Sequence, residues 1–262
     1  MRILAIGDVV GKPGRRAVAA LVPALRRELQ LDVVIANGEN AAAGRGLTIN
    51  TAKDIFEGGV DVITSGNHIW DQKDIVPYLD SEAPVLRPAN YPQGVPGRGM
   101  VQFRGLTIIN LMGRTFMYEI DDPFRCADRL LESVAPDAPI VVDMHAEATS
   151  EKAGMGWYLD GRVSAVFGTH THVPTADPRL LPRGTAYVTD LGMCGPRDSI
   201  IGVDPAGPIQ KFLTGMPARF VVAEKSRAVQ FNSVLIDIDD QTGKARSIER
   251  VDREWMQDGE QG

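Results

Sequence analysis

A chain of 262 residues is long enough to bury a substantial core as one large domain or two small ones, and we read residues 1–262 as a single domain. With 44% hydrophobic and 24% charged residues and a mean hydropathy of -0.10, the composition excludes a disordered or fibrous polypeptide. A formal net charge of -6 and a pI near 5.3 argue against stable binding to nucleic acid through a basic surface, and leave a small phosphate substrate open.

The first apolar run, Ile3 to Ile6, closes on Gly7-Asp8 and reads as a buried strand carrying a carboxylate at its carboxyl end. It is far too short for a secretion signal or a membrane span, so the cytoplasm is the expected location and no membrane partner is expected. Arg15 to Gln30 has helical spacing, with Pro23 expected to kink or restart it. Gly11-Lys12-Pro13-Gly14-Arg15 lacks the Gly-Lys-Ser/Thr ending of a phosphate-binding P-loop and reads as a helix start.

The strand-then-helix pattern recurs twice. Val33 to Ala36 runs into Gly38-Glu39-Asn40 and a helix from Asn50 to Glu57; Val60 to Thr64 runs into Gly66-Asn67-His68 and a helix from Gln72 to Leu79. An isolated Asp, Glu or Asn after a strand is usually a cap or turn former. Three in succession, each beside a glycine, point instead to one site outside the carboxyl ends of an α/β sheet.

Arg87 to Gly99 is rich in proline and glycine and reads as a long loop, and Met100 to Phe103 with Leu106 to Leu111 flank a hairpin signal at Arg104-Gly105. A helix from Pro123 to Val134 precedes Ile140-Val141-Val142 and Asp143-Met144-His145, where another strand ends in a metal-competent side chain. After a helix near Ser150 to Leu159 comes Val163 to Phe167 and then Gly168-Thr169-His170-Thr171-His172. Strand alternation would place these two imidazoles on one side. The chain has four histidines, and all of them follow apolar runs.

Thr185 to Thr189 reads as another strand, Asp190 to Pro208 as a Gly/Pro-rich connection, and Phe220 to Glu254 as an antiparallel hairpin completing a second sheet, followed by a frayed 257–262 end. Cys126 and Cys194 make no CxxC spacing and read as reduced, buried thiols.

The order Gly7-Asp8, Gly38-Glu39-Asn40, Gly66-Asn67-His68, His145 and Gly168-Thr169-His170-Thr171-His172 resembles the calcineurin-like metallophosphoesterases, whose motifs run GDxH, GDxxD, GNH, H and GHxH. Gly38-Glu39-Asn40 and Asp143-Met144-His145-Ala146-Glu147-Ala148-Thr149-Ser150-Glu151-Lys152 narrow the resemblance to the YmdB-like branch. It implies a four-layer αββα sandwich with two facing mixed β-sheets, an α/β (α+β) fold holding two metal ions at one edge. Carried over position by position, Asp8 and His172 would hold the first metal, Asn67, His145 and His170 the second, and Glu39 would bridge them. Val10 stands where GDxH has a ligand histidine, and the resemblance implies that Asn40 takes the vacant position through its carbonyl oxygen.

A mixed carboxylate, amide and imidazole set suits iron, manganese or zinc better than calcium or magnesium. Two such ions about 3.5 to 4 Å apart can clamp a phosphate and supply an activated water without a Ser or Cys nucleophile. His68, the histidine left over, is the candidate to stabilise or protonate the leaving oxygen. Glu147 reads as a carboxylate orienting a ligand ring or as a surface charge, and Arg45 as a substrate contact or a solvated loop arginine.

The expected activity is therefore a two-metal phosphodiesterase, with 2′,3′-cyclic nucleotides as the substrate the resemblance implies. A phosphomonoesterase or protein phosphatase would share every ligand, and a metal-containing regulatory protein that needs no turnover is the alternative outside catalysis. The resemblance also implies a homo-oligomer.

Overall fold

The computed structural model describes residues 1–257; of the 257–262 segment expected to fray, 258–262 lie outside the described residues. The three strand–helix rounds form as β1 (Arg2–Ile6), which passes through Gly7 into the short β2 (Asp8–Val9), then α1 (Gly11–Glu28), β3 (Val33–Asn37), α2 (Ile49–Glu57), β4 (Val62–Thr64) and α3 (Ile75–Leu79). The hairpin β5 (Met100–Phe103) and β6 (Leu106–Met112) follows, then α4 (Pro123–Leu131), β7 (Ile140–His145), α5 (Thr149–Tyr158) and β8 (Ala165–Thr169). The remainder is β9 (Arg179–Leu180), β10 (Ala186–Val188), β11 (Met193–Pro196), α6 (Ala206–Thr214), β12 (Ala228–Phe231), β13 (Ser233–Ile238), β14 (Ala245–Arg250) and β15 (Arg253–Met256).

Two mixed sheets face one another. One has the order β14-β13-β1-β3-β4 and the other β5-β6-β7-β8-β10-β9. Strand periodicity explains the layering, because alternate side chains leave a strand on opposite faces. Ile3, Ala5, Val33, Ile35 and Val62 meet Ile108, Val141, Ala165, Phe167 and Val188 between the sheets. Leu4, Ile6, Val34 and Ala36 face the other way, onto Ala17, Val18, Val22 and Leu25 of α1 and Ile55 of α2. Ile109, Leu111, Val142 and Val166 pack on Cys126 and Ala127 of α4 and on Met155 of α5. Each fully buried Ile, Leu or Val contributes roughly 1.5–3 kcal/mol, so both faces of both sheets stabilise the stack. The expected helix–sheet–sheet–helix order follows directly.

The structure differs from the sequence reading in several places. Helix α1 starts at Gly11, and Pro13 falls in its first turn, where a missing N–H costs nothing; the helix then continues through Pro23. The connection after Asp190 contains β11. The carboxyl-terminal tail is divided between sheets: β13 and β14 extend the β1 sheet antiparallel, whereas β12 and β15 join β11 and β2 in a small third sheet of order β15-β12-β11-β2. The two switches coincide, since Gly7, between β1 and β2, donates to the carbonyl of Asn232, between β12 and β13, at 3.0 Å. A side chain at Gly7 would put its Cβ 2.0 Å from the Gly192 carbonyl oxygen, so only glycine fits this crossing.

Candidate metal centre

The same alternation that builds the core builds the site. Val33, Ile35 and Asn37 share the inward face of β3; Val62 and Thr64 share that of β4; Val141, Asp143 and His145 that of β7; and Ala165, Phe167 and Thr169 that of β8. The apolar space between the sheets therefore ends, at the carboxyl edge of the parallel strands, in a polar layer. Thr64 and Thr169 hydroxyls donate to Asp143 Oδ2 and Oδ1 at 2.5 and 2.7 Å, and Thr169 Oγ1 lies 2.9 Å from His145 Nδ1. With the threonine proton given to Asp143, Thr169 accepts Nδ1–H of His145, which turns the Nε2 lone pair outward.

His145 Nε2 lies 3.0 Å from Asn67 Oδ1, 3.1 Å from Glu39 Oε1 and 3.1 Å from His170 Nδ1. Glu147 Oε2 is 3.1 Å from His170 Nε2, so a carboxylate stands at the ring nitrogen that faces away from the cluster. Four donor atoms of four residues thus converge where a ring nitrogen could offer one proton at most. That crowding of buried lone pairs fits a cation, and an N/O donor set of this kind fits a transition metal. Glu39, His145 and His170 offer ligand atoms that all lie within 4.8 Å of one another.

Glu39 leads from this group to a second. Its Oε1 lies 3.4 Å from Asn40 Nδ2, which is itself 3.4 Å from Asp8 Oδ1 and 3.1 Å from His172 Nε2. His172 Nε2 is 3.7 Å from Asp8 Oδ1. A half-turn of the Asn40 amide puts its oxygen in the place of its nitrogen, completing an oxygen-and-imidazole set around this point. The structure therefore brings together all seven expected ligands, Asp8, Glu39, Asn40, Asn67, His145, His170 and His172, in two adjoining groups sharing Glu39.

The two imidazoles of the Gly-Thr-His-Thr-His segment reach these groups by a route other than the one expected. Strand β8 ends at Thr169, and His170 and His172 take φ values of 100° and 64°, in the left-handed region that side chains other than glycine's disfavour. Surrounding bonds hold them there. Asp8 Oδ2 accepts the His170 backbone N–H at 3.1 Å, and His172 Nδ1 lies 2.8 Å from the Ile201 carbonyl oxygen. Between them, Thr171 donates its hydroxyl to Asp190 at 2.8 Å, and Asp190 is in turn paired with Lys152. The rings consequently diverge, one to each group, instead of sharing a side.

Charge and burial are balanced across the cluster. Burial alone would depress His145, but the carboxylates of Glu39, Asp8 and Asp143 outweigh it and push the ring up to about 9. Burial would raise Glu39, and His145 with His68 overrides it, bringing the carboxyl down to about 2. Asp8 and Asp143 are raised by burial, Asp143 to about 6. His170 is held down to about 3 by burial and by the positive charge of His145. In the absence of a cation the proton on His145 occupies the centre of the donor cluster.

His68 stands beside the centre. Its backbone N–H donates to Glu39 Oε2 at 2.9 Å, and its Nδ1 is 2.8 Å from Asp71 Oδ2, which also accepts Arg45 Nε at 2.5 Å. Arg45, His68, Glu39, Glu147, His170 and His172 all line one cavity of about 790 Å³. Gly66 permits this approach, because a Cβ there would lie 2.1 Å from the His145 ring. Residues 4–251 match the family model described as YmdB-like protein. The chain belongs to the YmdB-like family.

This YmdB-like chain is 52% identical, over 96% of its own length and 96% of the relative's, to a 2′,3′-cyclic-nucleotide 2′-phosphodiesterase of Bacillus subtilis. Its structure is similar to that of a phosphatase of Mycoplasma pneumoniae, with a TM-score of 0.90 and 35% identity over 97% of this chain and 93% of the other. A calcineurin-like phosphoesterase of Bacillus subtilis, 11% identical with a TM-score of 0.51 over 96% and 90% of the two chains, shares the fold. The fold is shared with that calcineurin-like phosphoesterase, and Glu39, His145 and His170 form a group here that could hold a metal ion.

Sequence reasoning passed over Asn37, Thr64, Asp71, Asp143, Thr169 and the Lys152–Asp190 pair. Period-two spacing back from His145 and the i+3 spacing of Asp71 from His68 were signals for two of them. The others depend on contacts between distant strands.

Proposed function

We propose that this protein is a metal-dependent phosphoric diester hydrolase acting on small phosphodiesters, with 2′,3′-cyclic nucleotides as its substrate class. The observation that carries the reading is the convergence of Asn67 Oδ1, Glu39 Oε1 and His170 Nδ1 on His145 Nε2, all within 3.1 Å, beside a cavity of about 790 Å³ that Glu39 and His170 line. Similarity to the Bacillus subtilis phosphodiesterase supports the substrate class.

Asn67, His145 and His170 would hold one metal, Asp8, Asn40 and His172 the other, and Glu39 would serve both; iron, manganese or zinc suits the set. Bound there, the ions supply charge neutralisation at the phosphoryl oxygens and an activated water. The chain's own groups do the rest. Thr169 fixes the tautomer of His145, and Glu147 stands 3.1 Å from Nε2 of His170. Water adds to phosphorus, the bond from phosphorus to one ribose oxygen breaks, and that oxygen needs a proton. His68 delivers it: with Nδ1 turned to Asp71, Nε2 is the nitrogen available to the leaving oxygen. One acid suffices because opening the ring expels one hydroxyl.

The reading takes residues 1–262 as one catalytic unit that works as a homo-oligomer in the cytoplasm and binds neither membrane nor nucleic acid stably. No helix among the described residues is long and apolar enough to cross a membrane. The test is an assay of metal-loaded protein on 2′,3′-cyclic AMP, 3′,5′-cyclic AMP and simple phosphomonoesters. Turnover of the first, abolished in Glu39→Gln, is expected; preference for the monoesters would make it a phosphomonoesterase, and equal inactivity of wild type and Glu39→Gln on all three would end the enzymatic reading.

A further inference from the structure

Strands β11 and β12 pair directly, with Pro196 opposite Val229, so residues 197–227 are an excursion from neighbouring strands. The excursion carries α6, and it folds onto itself: Asp204 N–H donates to the Val221 carbonyl at 2.8 Å, and a Cβ at Gly207 would lie 2.4 Å from the Arg219 carbonyl oxygen. It is fastened to the metal centre through His172 Nδ1, 2.8 Å from the Ile201 carbonyl oxygen.

The excursion presents apolar side chains outside the core. Phe212 is 78% exposed and Phe220 47%, an arrangement that wastes the burial energy of two aromatic rings unless something else covers them. Both line the cavity that contains Glu39, His170 and His172, together with Lys211, whose Nζ lies 5.5 Å from the centroid of the Phe220 ring. Leu213 and Met216, also exposed, do not line it. The aromatic rings thus share a cavity with Glu39, His170 and His172, and Ile200, Ile201 and Val203 of the same excursion complete its apolar side.

We infer that Phe212 and Phe220, with Lys211 beside them, form a nucleobase subsite: a stacking surface for the base of a substrate whose phosphodiester lies at the Glu39–His170–His172 end of the same cavity. The inference rests on the phosphodiesterase reading and deepens it. A flat aromatic ring stacks on any base, so the subsite separates nucleotides from other phosphodiesters while tolerating purine and pyrimidine alike. The ammonium of Lys211, beside the Phe220 ring, can donate to an acceptor on any base, a ring nitrogen of adenine or a carbonyl oxygen of the others.

The test compares 2′,3′-cyclic AMP with glycerol 1,2-cyclic phosphate, which has the same five-membered diester ring and no base. Phe212→Ala and Phe220→Ala are each expected to raise KM for the nucleotide about tenfold, the scale of one lost base–aromatic stack, and to leave kcat/KM for the glycerol ester within about twofold. Phe212→Trp should restore the nucleotide KM, and Phe212→Leu, apolar without a π-face, should not. Calorimetric binding of adenosine 3′-monophosphate should weaken in the alanine variants by a similar factor, while glycerol phosphate binding stays constant. An equal loss on both substrates would assign the rings to the fold or the chemistry, and no loss on either would place the base elsewhere; both results overturn the subsite while the hydrolase reading stands. A wild-type protein inactive on both cyclic esters would overturn the hydrolase reading, and the subsite would fall with it.

Discussion

Lys152 of α5 and Asp190 form an ion pair of 2.6 Å with both side chains 1% exposed, and the same Asp190 oxygen accepts the Thr171 hydroxyl at 2.8 Å. Thr171 is the residue between the two histidines that serve different halves of the donor cluster. A charge pair hidden from water thus anchors the backbone on which His170 and His172 hold their left-handed conformations.

Removing one member of such a pair leaves the other charge buried and alone, at a cost of about 3–5 kcal/mol. Lys152→Met is therefore expected to lower the melting temperature sharply and to release metal. The double variant Lys152→Met/Asp190→Leu should recover much of the thermal stability without recovering metal content, because Thr171 then loses the Asp190 acceptor as well. Calorimetric melting together with elemental analysis of both variants checks this; full metal content in the double variant would show that the pair serves stability alone.

Glu147 was ambiguous in the sequence between a ring-orienting carboxylate and a surface charge, and its position 3.1 Å from His170 Nε2 favours the former. Outer carboxylates of this kind typically govern metal affinity by about 10- to 100-fold. Glu147→Gln is expected to weaken metal binding by that order while leaving the melting temperature of the metal-free protein nearly unchanged, since Glu147 is half exposed. Competition against a chelator of known affinity measures it.

A metal ion held by His145 would compete with the proton on that ring. Its value of about 9 in the folded, metal-free chain stands above the ordinary 6.5, so folding retains a proton that the unfolded chain gives up. The associated stability is complete below about 6.5 and disappears as pH climbs through about 9. Metal-free protein should therefore lose thermal stability across that window, while metal uptake becomes tighter with rising pH and releases protons. Melting curves of chelated and loaded protein from pH 6 to 10, as a rough range, and calorimetry in buffers of different ionisation enthalpy test both signs. Metal affinity independent of pH across the window would contradict the assignment of His145.

His68 touches the donor cluster only through its backbone N–H, which donates to Glu39. His68→Ala should consequently keep its metal and lose about 10²–10⁴-fold in kcat on a ribose cyclic diester, the usual contribution of a positioned acid. On a 4-nitrophenyl diester, whose leaving oxygen needs no proton, the loss should shrink to a few-fold. Equal losses on the two substrates would remove the acid role.

The order of elements and the polar endings of the strands could be read from hydrophobic periodicity, and the seven expected ligands from the ordered motifs that carry the family resemblance. Their partners could not. Asp143, Thr64 and Thr169 are joined across three strands by bonds between residues 79 and 26 positions apart, a relationship that no local pattern carries. The paired imidazoles illustrate the opposite error: their two-residue spacing suggested strand alternation, but β8 stops one residue earlier and positive φ angles send the rings apart. The tail was misplaced for a similar reason, since a crossing at Gly7 and Asn232 moves strands between sheets without interrupting their alternating pattern.

Because residues 197–227 leave and return through adjacent strands, they form a cassette set over a fixed reaction chamber. Its sequence can change without rebuilding the strand ends, provided a backbone carbonyl still meets His172 as that of Ile201 does. Substrate range and hydrolytic chemistry are thereby free to diverge on separate schedules.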